Sequence, residues 1–140
     1  MLGSTHLLFS LLFGSFLFDY FHPGTLFLKV MFAALLMIGT FMPDLDLKFK
    51  FLEHRGILHT VWPIVLILIV NFFLQKQTGF SIMAMAIGYG SHLAADMLTP
   101  CGVAPIAPLH KQRIRGPIET GSVWEFGVSA IVFAILLMRI

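Results

Sequence analysis

The chain has 140 residues, of which 58% are hydrophobic and only 11% charged, with a mean hydropathy of +0.91. Soluble domains carry charge on roughly a quarter of their residues, so the main solvent of this single domain is expected to be lipid. A formal charge of +2 argues against a nucleic-acid surface, and one cysteine, Cys101, excludes both an intramolecular disulfide and a thiol-metal cluster.

A membrane crossing takes about 20 apolar residues. Apolar runs in chain order predict helices from about Ser4 to Phe18, Thr25 to Met42, Ile57 to Leu74, Phe80 to Leu98 and Val123 to Ile140. The fold class expected is therefore all-α, a polytopic transmembrane bundle of about five helices, with residues 1–140 as one membrane domain. The first run lacks Lys and Arg before it, and Phe18-Asp19-Tyr20-Phe21 is no small-residue cleavage site, so it reads as a helix of the mature protein. His22-Pro23-Gly24, Pro43, Gln75 to Gly79 and Pro100 supply the breaks. The longest non-apolar stretch, Thr99 to Ser122, contains Val103 to Leu109, apolar enough to lie in a membrane interface. Lys48, Lys50 and Arg55 follow the second run, and Lys111, Arg113 and Arg115 follow the fourth, on the same side. The positive-inside bias then puts the N-terminus and both basic loops in the cytoplasm and the C-terminus outside.

With that topology the unusual polar residues converge. His6 opens the first span, Asp44 and Asp46 follow the second, His54 and His59 lead into the third, and His92 and Asp96 lie in the last two turns of the fourth. All fall at the cytoplasmic face. His92 and Asp96 are four apart and share a helical face, and Gly88 continues their stripe with no side chain to block approach. His6, Ser10 and Gly14 form a similar polar-to-small stripe that turns His6 into the bundle. An ionisable pair inside a span is costly unless something compensates it, which points to function.

Mixed imidazole and carboxylate ligands suit a divalent metal, zinc first, with manganese or iron as alternatives. Such an ion brings the pKa of its water to around 7, and an Asp not used as a ligand serves as general base. The candidate ligands are His6, Asp44, Asp46, His59, His92 and Asp96. Asp44, Asp46, His54 and Arg55 are the candidate catalytic groups, and Arg55, Arg113 and Arg115 can hold a phosphate or carboxylate. Glu125 has a structural explanation: with Ser122 it fits a capping box opening the last helix. His22 and His110 sit apart from the cluster.

The ordered motifs His6-Leu7-Leu8, Pro43-Asp44-Leu45-Asp46, His54-Arg55-Gly56-Ile57-Leu58-His59-Thr60 and Gly88 to Pro100 followed by Gly102-Val103 resemble the YdjM-type family. The resemblance implies a LexA-regulated, membrane-bound, metal-dependent hydrolase of the kind expected in the bacterial inner membrane, in a family found in archaea as well. The resemblance runs from His6 to about Pro108, and departs from the family's usual Thr-His-Ser at Leu58-His59-Thr60. It implies a multi-pass inner-membrane protein of the DNA-damage (SOS) response, in which the matched His and Asp residues form the metal site.

Together these features lead to the expectation of a metal-dependent hydrolase of the cytoplasmic leaflet. Membrane lipid would be its surroundings, and an ester or phosphoester of a lipid or lipid-linked molecule its substrate. The alternatives are a metal-ion or proton transporter, which needs polar sites through the membrane thickness, and a non-catalytic stress-induced membrane protein with a structural metal.

Overall fold

The structure, a computed structural model, describes residues 1–47, 56–73 and 79–139. It is all-helical: α1 (Gly3–Phe21), α2 (Leu26–Phe41), α3 (Trp62–Phe73), α4 (Gly79–Met97) and α5 (Val123–Leu137), with short 3-10 turns at Pro43–Leu47 and Ile57–His59. Thr25 caps α2 by accepting the Leu28 amide at 3.3 Å, and Ser122 caps α5 by accepting the Glu125 amide at 3.3 Å. His22 ends α1 in the left-handed conformation, its amide bonded back to Phe18.

The largest departure from the expected elements is at the third. The run from Ile57 does not enter α3 directly: it makes a 3-10 turn, breaks at extended Thr60, and the helix starts at Trp62. Pro63 explains the start, since proline suits the first helical turn but disfavours helix in the residues before it. The break also detaches His59 from the axis of α3.

α4 is the hub, packed against α2, α1 and α3, while α5 packs mainly on α1. Where α2 and α4 cross, their backbones touch. A Cβ on Gly39 would stand 2.0 Å from the Met85 carbonyl oxygen, and one on Gly88 would stand 2.2 Å from that of Leu36. Only glycine permits that approach. Gly88 thus serves a helix crossing, where the sequence suggested an open approach for a ligand.

Contacts fix the directions. Phe18 meets Phe32, the side chain of Leu36 lies against Gly14, and Ile64 reaches Gly90, so successive helices among these pairs run antiparallel. Thr5 pairs with Ser129 at 3.1 Å, and Arg139 with Ser15 at 3.0 Å, so α5 runs parallel to α1. The start of α1, the two 3-10 turns, the end of α4 and the start of α5 therefore share one end of the bundle. Segment 98–122 folds back over that end: Val103 and Ile114 form a bridge, and the Gly116 and Ile118 amides bond Thr99 and Leu98 at 3.0 Å.

Burial is inverted relative to a soluble domain. Thr5, His6, Ser10, Thr40, His92 and Asp96 are buried, whereas Phe13, Phe16, Leu66, Phe72, Phe126 and Phe133 are exposed. The apolar core is small, comprising Ile67, Ala86, Tyr89 and Leu93 on one side of α4 and Phe32, Leu36 and Ala84 on the other. Among the described residues no helix is both long and apolar enough to cross a membrane. α2, α3 and α5 have 16, 12 and 15 residues. α1 and α4 reach 19, but His, Ser, Gly and Asp dilute their apolar content.

Candidate metal centre

Each ligand candidate is delivered by a local device. His6 lies on the second turn of α1, on the face that buries Ser10 and Gly14, as the stripe predicts. Two links from α5 set its height: Glu125 accepts the Leu2 amide at 2.6 Å, and Ser129 pairs with Thr5. His59 is held by the Tyr89 hydroxyl, which donates to the Leu58 carbonyl, and by the 3-10 bond from its own amide to Gly56 at 3.0 Å. Asp44 sits in the turn after α2, one turn beyond buried Thr40 and the glycine crossing. His92 and Asp96 stand one turn apart on α4.

These five side chains come together. His6 Nε2 lies 3.5 Å from Asp96 Oδ1, and His59 Nε2 lies 3.6 Å from Asp96 Oδ2 and 3.9 Å from Asp44 Oδ1. His92 Nε2 lies 3.5 Å from Asp44 Oδ1 and 3.8 Å from Asp96 Oδ2. The His6 and His92 rings stack with centroids 3.9 Å apart. His6, His92 and Asp96 form one triad and Asp44, His59 and His92 a second, the ligand atoms within each lying within 4.8 Å of one another. Two ligands about 2.1 Å from a tetrahedral zinc stand about 3.4 Å apart, a spacing that the imidazole–carboxylate pairs at 3.5 and 3.6 Å approach.

The environment has the same polarity. His6, His59, His92 and Asp96 are almost fully buried, while the Asp44 side chain is 35% exposed, so the cluster has one open side. His6 Nδ1 is buried and without a hydrogen-bond partner. An imidazole nitrogen in that state carries a desolvation cost that a ligand would relieve. Asp96 Oδ1 also meets the Met1 ammonium at 3.2 Å. Two carboxylates and three imidazoles in so small a space are a donor set for a borderline divalent cation.

The other candidates distribute differently. His54 and Arg55 lie outside the described residues, as does the side chain of Asp46. Arg113 and Arg115 are exposed on segment 98–122, above the end of α4, with the Arg115 stem against Gly102. His110 pairs with Gln112 at 3.0 Å on the surface, away from the triads. The capping box is found in part: Ser122 caps α5, but the Glu125 carboxylate bonds the Gly121 amide at 2.6 Å and reaches across to Leu2. That cross-link, the Tyr89 contact and the Met1 ammonium had no local signal, because each joins residues far apart in sequence.

Comparison with known proteins gives the setting. The inner membrane protein YdjM of Escherichia coli (strain K12) is 41% identical over 70 residues, which are 46% of this chain and 35% of that protein. The uncharacterized protein ORF4 of Methanothermobacter thermautotrophicus is 28% identical over 93 residues, 61% of this chain and 38% of that protein. The chain thus spans little more than a third of the length of these curated relatives. No solved structure matches it. The family model described as YdjM inner membrane protein matches residues 1–140, the whole length, and the chain belongs to that family.

Proposed function

We propose that this protein is a multi-pass inner-membrane, metal-dependent hydrolase, whose site faces the cytoplasm and acts on an ester or phosphoester of a lipid or lipid-linked molecule. The observation that carries this reading is the convergence of His6, Asp44, His59, His92 and Asp96 from four segments, buried on all sides but that of Asp44. The membrane placement draws on family membership, the inverted burial and the exposed apolar belt. Helices of 12 to 19 residues fit a bilayer that thins locally around them. Lys111, Arg113 and Arg115 at the cluster end give that end its cytoplasmic orientation.

His6, His92 and Asp96 would hold the ion and leave a further position for water, with His59 beside Asp96 and zinc favoured by the donor set. A bound divalent ion supplies Lewis acidity, polarising a carbonyl or phosphoryl oxygen and acidifying water. Asp44, at the open side, takes a proton from the attacking water as its oxygen joins carbon or phosphorus, and returns it to the leaving oxygen as the ester bond breaks. Burial of the other four excludes bulk water and keeps their electrostatics strong. Arg113 and Arg115 supply bidentate donors for a phosphate at headgroup depth.

The test is elemental analysis of detergent-purified protein, with hydrolysis of lipid esters and phosphoesters as a second readout. Near-stoichiometric zinc, manganese or iron is expected in the parent. His92→Ala and Asp96→Ala lose it, while Asp44→Asn keeps most of the metal and loses roughly a hundredfold or more of the rate, as expected for a general base. A parent without metal, or His92→Ala and Asp96→Ala proteins with unchanged metal and activity, overturns the proposal.

A further inference from the structure

At the end of the bundle remote from the cluster, α1, α2 and α5 border an open cavity of about 450 Å³, a size typical of small-molecule sites. Its floor is apolar, with Phe32 and Leu36 buried in α2, Ala33 beside them and Leu136 contributed by α5. Its rim is charged. Lys29 from the first turn of α2 and Arg139 just beyond α5 line it with Asp19, the one carboxylate among its described lining residues. Arg139 is already committed: it pairs with Asp19, donates to Ser15 Oγ at 3.0 Å and lies over the Phe16 ring. Lys29 is the surplus cation, exposed at the same mouth. From Asp19 back to Leu11 the cavity follows α1 for about 12 Å, at ~1.5 Å per residue.

We propose that this cavity binds one anionic phospholipid, its phosphodiester held at the rim by Lys29 with Arg139 beside it, and the upper part of an acyl chain lying over Phe32 and Leu36. The argument is charge complementarity. Among the described residues that line the mouth, two cations face one carboxylate, an excess of one positive charge that a monoanionic headgroup neutralises and a zwitterionic one does not. The apolar floor selects an amphiphile over a free anion. A snorkelling lysine alone explains a charge at this depth, but not a preorganised guanidinium beside it at the mouth of an apolar trough. The inference rests on the membrane placement proposed above and is independent of hydrolysis.

The test is native mass spectrometry of the full chain in detergent, titrated with phosphatidylglycerol or phosphatidylcholine, together with flotation on phosphatidylcholine vesicles. Phosphatidylglycerol is expected to be retained preferentially. Lys29→Gln lowers that preference roughly fivefold, the weight of one basic residue at an anionic lipid surface. Ala33→Trp, which fills the trough, lowers retention of both lipids, and His92→Ala leaves the preference intact because it acts at the other end. A chain that floats but retains both lipids equally, or a Lys29→Gln protein with the parent's preference, overturns the lipid site. Equal retention of inorganic phosphate and phosphatidylglycerol also overturns it, by making the rim a simple anion site. A chain that fails to float on any vesicle overturns the membrane placement and this site with it.

Discussion

The two ends of the bundle use the same kinds of residue to different effect. At the cluster end, His6, His59, His92, Asp96 and Glu125 are buried, and bonds between elements hold the chain beside them, from Glu125 to Leu2 and from Tyr89 to Leu58. At the remote end, Asp19 is 63% exposed and pairs with Arg139 across solvent, beside an open cavity. Buried polar groups are costly when one partner is missing, whereas an exposed ion pair is screened and contributes little. The cluster end should therefore behave as a rigid cooperative unit and the remote end as a tolerant rim. Substitutions that remove one partner at each end measure that difference directly.

The largest effect is expected at Glu125. Its carboxylate is the acceptor for both the Leu2 and Gly121 amides, each at 2.6 Å. Glu125→Ala leaves two part-buried donors without an acceptor and removes the link from α5 to the residue that precedes α1. At ~1–3 kcal/mol for each orphaned group, a loss of about 3 kcal/mol is expected in detergent unfolding. Because His6 follows Leu2 by one turn, metal affinity should fall roughly tenfold, the scale on which supporting partners act. If Glu125 is only a helix cap, the cost stays near ~1 kcal/mol and metal binding does not change.

Next in size is the crossing of α2 and α4. Gly88→Ala places a methyl group 2.2 Å from the Leu36 carbonyl oxygen, a backbone atom that moves only if α2 moves. Overpacking of this kind costs about 2 kcal/mol. Displacing the end of α2 carries Asp44 away from His92, now 3.5 Å apart, so hydrolysis should fall further than metal content, which the other four side chains sustain. Equal loss of both would mean that Asp44 is needed to hold the ion.

These residues also show what the sequence made legible. The spacing of His92 and Asp96, the stripe of His6, Ser10 and Gly14, and the placement of Asp44 after a span were sufficient to bring four candidate ligands to one end, because helical periodicity and alternating direction are local rules. Four of the five helices begin and end within about three residues of the apolar runs. The detour at Ile57–His59 was missed because apolar content outweighed Pro63 in reading that run. The partners of Glu125, the Tyr89 hydroxyl and the glycine crossing depend on which helices become neighbours, and periodicity carries no information on pairing. Gly88 illustrates the limit: its position in the stripe was read correctly, but what approaches it is the backbone of α2.

The smallest stability effect, and the sharpest contrast, is expected at Asp19. Asp19→Asn removes an ion pair that is largely in solvent, so unfolding should shift by less than about 1 kcal/mol, and metal content should not change. The same substitution deletes the one carboxylate among the described residues lining the remote cavity, raising the excess of positive charge contributed by Lys29 and the released Arg139. Preference for phosphatidylglycerol over phosphatidylcholine should therefore rise severalfold while stability hardly moves, the reverse of the pattern at Glu125, where stability falls and lipid preference stays. A stability loss at Asp19 comparable to that at Glu125 would show that the pair with Arg139 joins α5 to α1 as firmly as the buried cross-link does, and that the two ends differ in exposure but not in rigidity.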